Sequence, residues 1–157
     1  MQVLWAPWRM SYVAGKKEPG CIFCHAAATT DLRRDLVLAQ QPALIMLNRF
    51  PYASAHLMVA PRTHTADLGA LSPDEFHAVM DSLRTAAARL GEVFRPEGMN
   101  IGMNLGAAGG AGVADHLHWH LVPRWVGDTN FMPLLADVRV MPEHLDATYD
   151  RLRSQWS

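Results

Sequence analysis

Apolar and polar residues alternate through His116-Leu117-His118-Trp119-His120-Leu121-Val122. That is the pattern of a β-strand, whose side chains at i, i+2 and i+4 share one face. It predicts three imidazoles in a row, about 6.6 Å apart, with Leu117, Trp119 and Leu121 turned into a core. Shorter β-rich runs lie over 35–40 and 43–48, split by Gln41-Pro42 as in a hairpin, and over 56–60, which Pro61 ends. Residues 99–104 alternate again and predict a fourth strand ahead of the histidine strand. The clearest helix starts at Ser72-Pro73-Asp74-Glu75, an N-cap serine with proline at the first helical position and glutamate three residues on. Phe76, Val79, Met80, Leu83, Leu90, Val93 and Phe94 follow at helical spacing, with Gly91 a weak point near the end. Pro142-Glu143 opens a last helix with Leu145, Tyr149, Leu152 and Trp156 on one side, and 125–137 reads as irregular.

Strands, one long helix, then strands again with short links predict an α+β fold with an antiparallel sheet. The links leave no room for the helical crossovers of a doubly wound parallel sheet. At 157 residues the chain reads as an arm over 1–20, rich in Trp and Tyr that should dock on the body, and one domain over 21–157. Half the residues are apolar and 18% are charged, which fits a globular protein rather than a disordered one. A net charge of −1 argues against nucleic acid as partner, and no apolar run approaches the ~20 residues that span a bilayer. The first residues carry no basic stretch followed by an apolar one, so a cytoplasmic location is expected.

Three features carry candidate chemistry. The loop Gly106-Ala107-Ala108-Gly109-Gly110-Ala111-Gly112 joins two strands and ends four residues before His116. Such a loop is either a long hairpin turn or a place where bare amides approach a phosphate. It matches neither the Walker nor the dinucleotide fingerprint. The imidazole row can attack phosphorus, stabilise charge on phosphate oxygens or chelate a metal. Cys21-Ile22-Phe23-Cys24 offers two thiolates to a tetrahedral zinc site, with His25, His56, His64 and the row as available nitrogen donors; buried free thiols are the alternative. His77 and His144 lie on helices and read as solvated. Arg9, Arg62 and Arg124 are the cations considered for a phosphate chain.

The row from His116 to Val122 resembles the signature of the histidine triad superfamily, His-φ-His-φ-His-φ-φ with φ apolar. Asn48-Arg49 with 55–62 is similar to that family's nucleotide-binding strand pair, and 103–106 with the glycine loop to its phosphate-contacting segment. The resemblance covers roughly 21–125, and the continuation through 127–133 is similar to the bacterial branch nearest the fragile-histidine-triad type. It implies a dimer-forming fold and a nucleotidyl hydrolase acting on dinucleoside polyphosphates, with a divalent cation accompanying the substrate as an option. Position by position it implies His118 as the nucleophile, His120 beside the phosphate and leaving oxygen, and His56 in support. It implies Asn48 on the ribose side, and Asn104, Gly112 and Val113 near the phosphates. Members with Cys-x-x-Cys hold structural zinc, which implies Cys21, Cys24, His64 and His116 as ligands and removes His116 from catalysis. Diadenosine tetraphosphate phosphorylases of the family carry a Gly-Gly-Ser-type loop, where this chain has Gly110-Ala111-Gly112-Val113. That departure favours water over phosphate as the second nucleophile. A nucleotide- or zinc-binding module without turnover is the reading from another class.

Overall fold

The computed structural model describes residues 20–128 and 143–156. Its elements are α1 (Ile22–Ala28), β1 (Val37–Ala39), β2 (Leu44–Leu47), β3 (Leu57–Ala60), α2 (Pro73–Phe94), β4 (Gly98–Met103), β5 (Trp119–Arg124) and α3 (Leu145–Arg153). The expected arm over 1–20, apart from Gly20, and most of 125–137 lie outside the described residues. Among the described residues the five strands form one antiparallel sheet in the order β1-β2-β3-β5-β4. The fold is α+β, as the pattern predicts.

Both faces of the central strands are covered, which is why β2 and β3 are apolar throughout rather than alternating. On one face Ile45, Leu47, Leu57, Val59, Leu117, Trp119 and Leu121 pack with Val79, Ala86 and Leu90 of α2 and with Tyr149 and Leu152 of α3. On the other, Val37, Leu44, Met46, Met58 and Ala60 form a smaller cluster capped by Phe23 and Ala26 of α1. Met46, Met58 and His120 are successive cross-strand partners, so the histidines emerge on this second face.

Ser72 caps α2 by accepting the Glu75 N–H, and the helix runs unbroken through Gly91 to an αL residue, Arg95. The expected capping box is only half formed. Glu75 does not reach back; its carboxylate accepts the Thr63 N–H and the Thr63 hydroxyl, both at 2.9 Å. The helix start thereby holds the turn that carries His64. The last helix starts three residues later than Pro142 implies, capped by His144. Helix α1 has no counterpart in the expectation, because seven residues are too few to display a period.

A candidate active site beside a metal-binding cluster

Strand β5 starts at Trp119, three residues later than the alternation predicts. Before it, the backbone is committed elsewhere: Leu117 N–H donates to the Thr65 carbonyl, and the His116 carbonyl accepts a side chain instead of a ladder bond. The alternation of faces survives, since Leu117, Trp119 and Leu121 all enter the larger core. The even row does not. The His118 and His120 rings lie 4.9 Å apart, nearly perpendicular, and each histidine has its own surroundings.

Backbone groups settle which nitrogen of each ring carries the proton, because a carbonyl can only accept and an amide N–H only donates. His118 Nδ1 lies 2.9 Å from the His116 carbonyl, so Nδ1 is protonated and Nε2 keeps a lone pair. His116 is the reverse: Nε2 donates to the Pro61 carbonyl at 3.0 Å, leaving the Nδ1 lone pair outward. His56 Nδ1 accepts the Tyr52 N–H at 3.1 Å, so its Nε2–H donates to His120 Nδ1 at 2.9 Å. His120 then presents Nε2–H. Burial first, and the neighbouring His118 second, push the His120 pKa down to about 4. It is therefore neutral near pH 7 and serves as a hydrogen-bond donor, not a cation.

The glycine loop is less open than its composition implies. The N–H groups of Gly109, Gly110 and Ala111 donate to Gly106 and Ala107 carbonyls within the loop. Asn104 braces it through its side-chain amide to the Gly110 carbonyl, 3.3 Å. Gly109 is indispensable, since a Cβ there would stand 2.3 Å from the Leu105 carbonyl oxygen. Gly112 and Val113 follow this compact turn. Their N–H groups donate to no backbone carbonyl among the described residues, and Val113 packs against the smaller core. Asn48 follows directly on β2, with its side-chain oxygen on the Phe50 N–H and its amide 3.4 Å from His56 Nδ1. Two of the considered cations are spoken for. Arg62 donates to the Gln40 and Ala27 carbonyls, and Arg124 forks onto Asp128 and reaches Asn100. Arg9 lies outside the described residues.

The four implied metal ligands do converge. Cys21, Cys24, His64 and His116 offer ligand atoms all within 4.8 Å of one another. Cys21 Sγ to His116 Nδ1 is 3.3 Å, Cys24 Sγ to His64 Nδ1 3.3 Å, Cys24 Sγ to His116 Nδ1 3.6 Å and His64 Nδ1 to His116 Nδ1 3.2 Å. Ligand edges around tetrahedral zinc are about 3.6 Å for sulfur–nitrogen and about 3.3 Å for nitrogen–nitrogen. The donor set and spacing therefore fit zinc. The Pro61 carbonyl behind His116, and Asp115 at 3.8 Å from His64 Nε2, supply the outer partners such ligands use. His25, also considered a donor, is instead paired with Asp35.

A family model described as the HIT domain matches residues 29–126 of the chain. The chain belongs to the HIT family. A HIT relative from Mycobacterium tuberculosis (strain CDC 1551 / Oshkosh), named AP-4-A phosphorylase, is 35% identical over 166 residues, covering 100% of this chain and 85% of that protein. The zinc-bound histidine triad family protein from Mycobacterium smegmatis superposes with a TM-score of 0.67 at 27% identity, over 86% of this chain and 91% of that one. The Plasmodium falciparum diadenosine triphosphate hydrolase shares the fold alone, with a TM-score of 0.61 at 16% identity over 76% of this chain and 75% of that one. No helix among the described residues of this HIT protein is long and apolar enough to cross a membrane.

Several contributors to the site lie outside the motif. Phe23 packs on His116 and His118, Tyr52 both fixes the His56 tautomer and lays its ring 4.7 Å from it, and Glu75 anchors the His64 turn. Phe23 was findable, since it stands between two candidate ligands.

Proposed function

We propose that this HIT-family enzyme cleaves dinucleoside polyphosphates at an α-phosphate through a nucleotidyl-His118 intermediate. The observation that carries this reading is the 2.9 Å bond from His118 Nδ1–H to the His116 carbonyl, which leaves Nε2 as the unprotonated nitrogen. In the first displacement the Nε2 lone pair attacks phosphorus and the bond to the polyphosphate leaving group breaks. That group departs as a phosphate anion and needs no proton. His120 Nε2–H stabilises the oxygen on which charge grows, held in the donating tautomer by His56 and, behind it, the Tyr52 N–H. In the second displacement water attacks, the P–N bond breaks and its electron pair returns to Nε2, while the proton lost by water passes to solvent. Asn48 faces the ribose, and Asn104, Gly112 and Val113 lie against the phosphates.

Zinc, when bound by Cys21, Cys24, His64 and His116, is structural: it ties α1 to the segment entering β5 and leaves His118 uncoordinated. A divalent cation travelling with the polyphosphate, a homodimer joined through the edge of the sheet, and a cytoplasmic location complete the reading. Nucleic acid and membrane are not partners in it. The half-exposed β4, with Ile101 outward, is the edge such a dimer would use.

Phosphorolysis is the second reading, favoured by the 35% identical relative named AP-4-A phosphorylase. Against it stands the absence of a hydroxyl side chain at 110–113. Incubating the protein with diadenosine tetraphosphate, with and without inorganic phosphate, separates the two. Turnover without phosphate, yielding a nucleoside monophosphate, supports hydrolysis; strict dependence on phosphate selects the second reading. Survival of activity in His118→Asn removes the nucleophile from both.

A further inference from the structure

We infer that Phe23 is a positioning residue through which the Cys21, Cys24, His64 and His116 cluster sets the ring of His118. This rests on His118 being the nucleophile. The Phe23 ring is 1% exposed and makes tilted ring contacts with both histidines, 4.7 Å from the His118 ring at 32° and 5.2 Å from the His116 ring at 50°. It thus touches one cluster residue and the nucleophile at once.

The rest of the His118 environment leaves this contact decisive. One hydrogen bond from Nδ1 fixes a point on the imidazole but not the tilt of its plane. His120 meets it edge-on at 78° and closes one side. The tilted Phe23 ring closes another, so the direction of the Nε2 lone pair follows the position of Phe23.

That position in turn depends on the cluster. Helix α1 has seven residues and no side-chain cap, too short to persist by itself. Its N-cap residue is Cys21 and its first turn carries Cys24, so the two thiols bracket Phe23. When a metal joins them to His64 and His116, the turn is clamped on both sides of the aromatic ring. Without it, Phe23 is held by apolar packing against Val37, Met46, Met58 and their neighbours, which favours burial but no particular ring plane.

A residue that merely filled the core would behave differently from one that aims a ring. Phe23→Leu and Phe23→Met both keep an apolar side chain in the small cluster and remove the flat face; using two variants guards against one failing to fold. For the zinc-loaded full chain, we expect kcat to fall about ten- to a hundredfold in both, with KM changed little and metal content per chain unaltered. In the wild type, chelating zinc should lower kcat and shift the proton resonances of the His118 ring, which feel the Phe23 ring current. In Phe23→Leu those resonances should already be shifted, and chelation should move neither them nor kcat much further. The inference is overturned if chelation lowers kcat by the same factor in wild type and variant, or if it leaves the wild-type His118 resonances in place. His118→Asn distinguishes the levels: if turnover survives there, the nucleophile assignment fails and this inference with it. If turnover is lost there while the zinc response ignores position 23, only the coupling through Phe23 is wrong.

Discussion

Two residues apart on one segment, His116 and His118 are held in opposite tautomers and face different chemistry. His116 gives its Nε2 proton to the Pro61 carbonyl and turns Nδ1 towards two thiols and a second imidazole. His118 gives its Nδ1 proton to the His116 carbonyl and keeps Nε2 as a lone pair. The side chains are identical, and both are buried. In the proposed reading, what separates the ligand from the nucleophile is which ring nitrogen a backbone carbonyl occupies. Burial adds to this at the first position. Desolvation, outweighing the Pro61 bond that opposes it, holds the His116 pKa below its ordinary value and keeps the ring neutral for a metal.

The comparison predicts that changes at the two positions fail in different ways. The largest effect belongs to His118→Asn, which keeps a polar group near the His116 carbonyl but has no ring nitrogen to attack phosphorus. Turnover should fall by at least about 10³-fold, and no nucleotidyl adduct should be trapped on the quenched protein. Metal content and melting temperature should stay close to the parent. An adduct at another residue would move the catalytic assignment off this position.

Cys24→Ser should produce the opposite profile. A hydroxyl is a poor zinc ligand, so elemental analysis should show the metal lost, and the melting temperature should drop and cease to respond to chelator. Structural zinc commonly contributes several kcal/mol of folding free energy, so the stability change should exceed that of any single change at the catalytic end. Residual turnover should persist, carried by an intact His118. Equal melting curves for parent and variant, each with and without chelator, would sink the zinc assignment.

These pairs also mark what was legible in the sequence. The β2, β3 and α2 assignments needed only periodicity and a cap, and the structure places them within a residue or two of expectation. The start of β5 was not legible, because the Thr65 carbonyl, a tertiary partner, and the His118 ring, two residues along the same segment, take the backbone groups that a ladder would use. Spacing alone revealed the two thiols of the Cys21, Cys24, His64 and His116 cluster. The two histidines lie 40 and 95 residues away from their cysteine partners, a distance that only the resemblance bridged. Open amides along the glycine loop followed from composition, yet the loop folds on itself and consumes three of them. Glycine content reports conformational freedom, not how that freedom is used.

At the far end of the segment, His120 contributes a pH dependence of its own. Its folded-state pKa of about 4 lies below the ordinary 6.5, so the unfolded chain binds the proton more readily. Stability is complete above about pH 6.5 and is lost as pH falls towards 4, by a total on the order of 3 kcal/mol from this group. Chemical denaturation of His120→Gln and the parent at pH 7 and pH 4.5, under matched zinc, isolates the effect. The variant should lose less stability across that interval. Parallel losses would mean that His120 titrates normally and that its tautomer is not held by His56.

The smallest effect tests whether the metal end reaches into the long helix. Glu75 uses both carboxylate oxygens on Thr63, the residue before His64, and so fixes a turn and not the ligand itself. Replacing it with Gln leaves one acceptor oxygen, so either the Thr63 N–H or its hydroxyl loses its partner. Outer partners of metal ligands are worth about 10- to 100-fold in affinity, and Glu75 stands one bond further out, so zinc affinity in Glu75→Gln should fall by about tenfold at most. With zinc saturating, turnover should match the parent, because nothing on the His118 side of the segment has changed. A competition titration against a chromophoric chelator measures the affinity directly. A loss of turnover that added zinc does not restore would show that the helix start serves the catalytic end as well, and the division between His116 and His118 would be less clean than their tautomers imply.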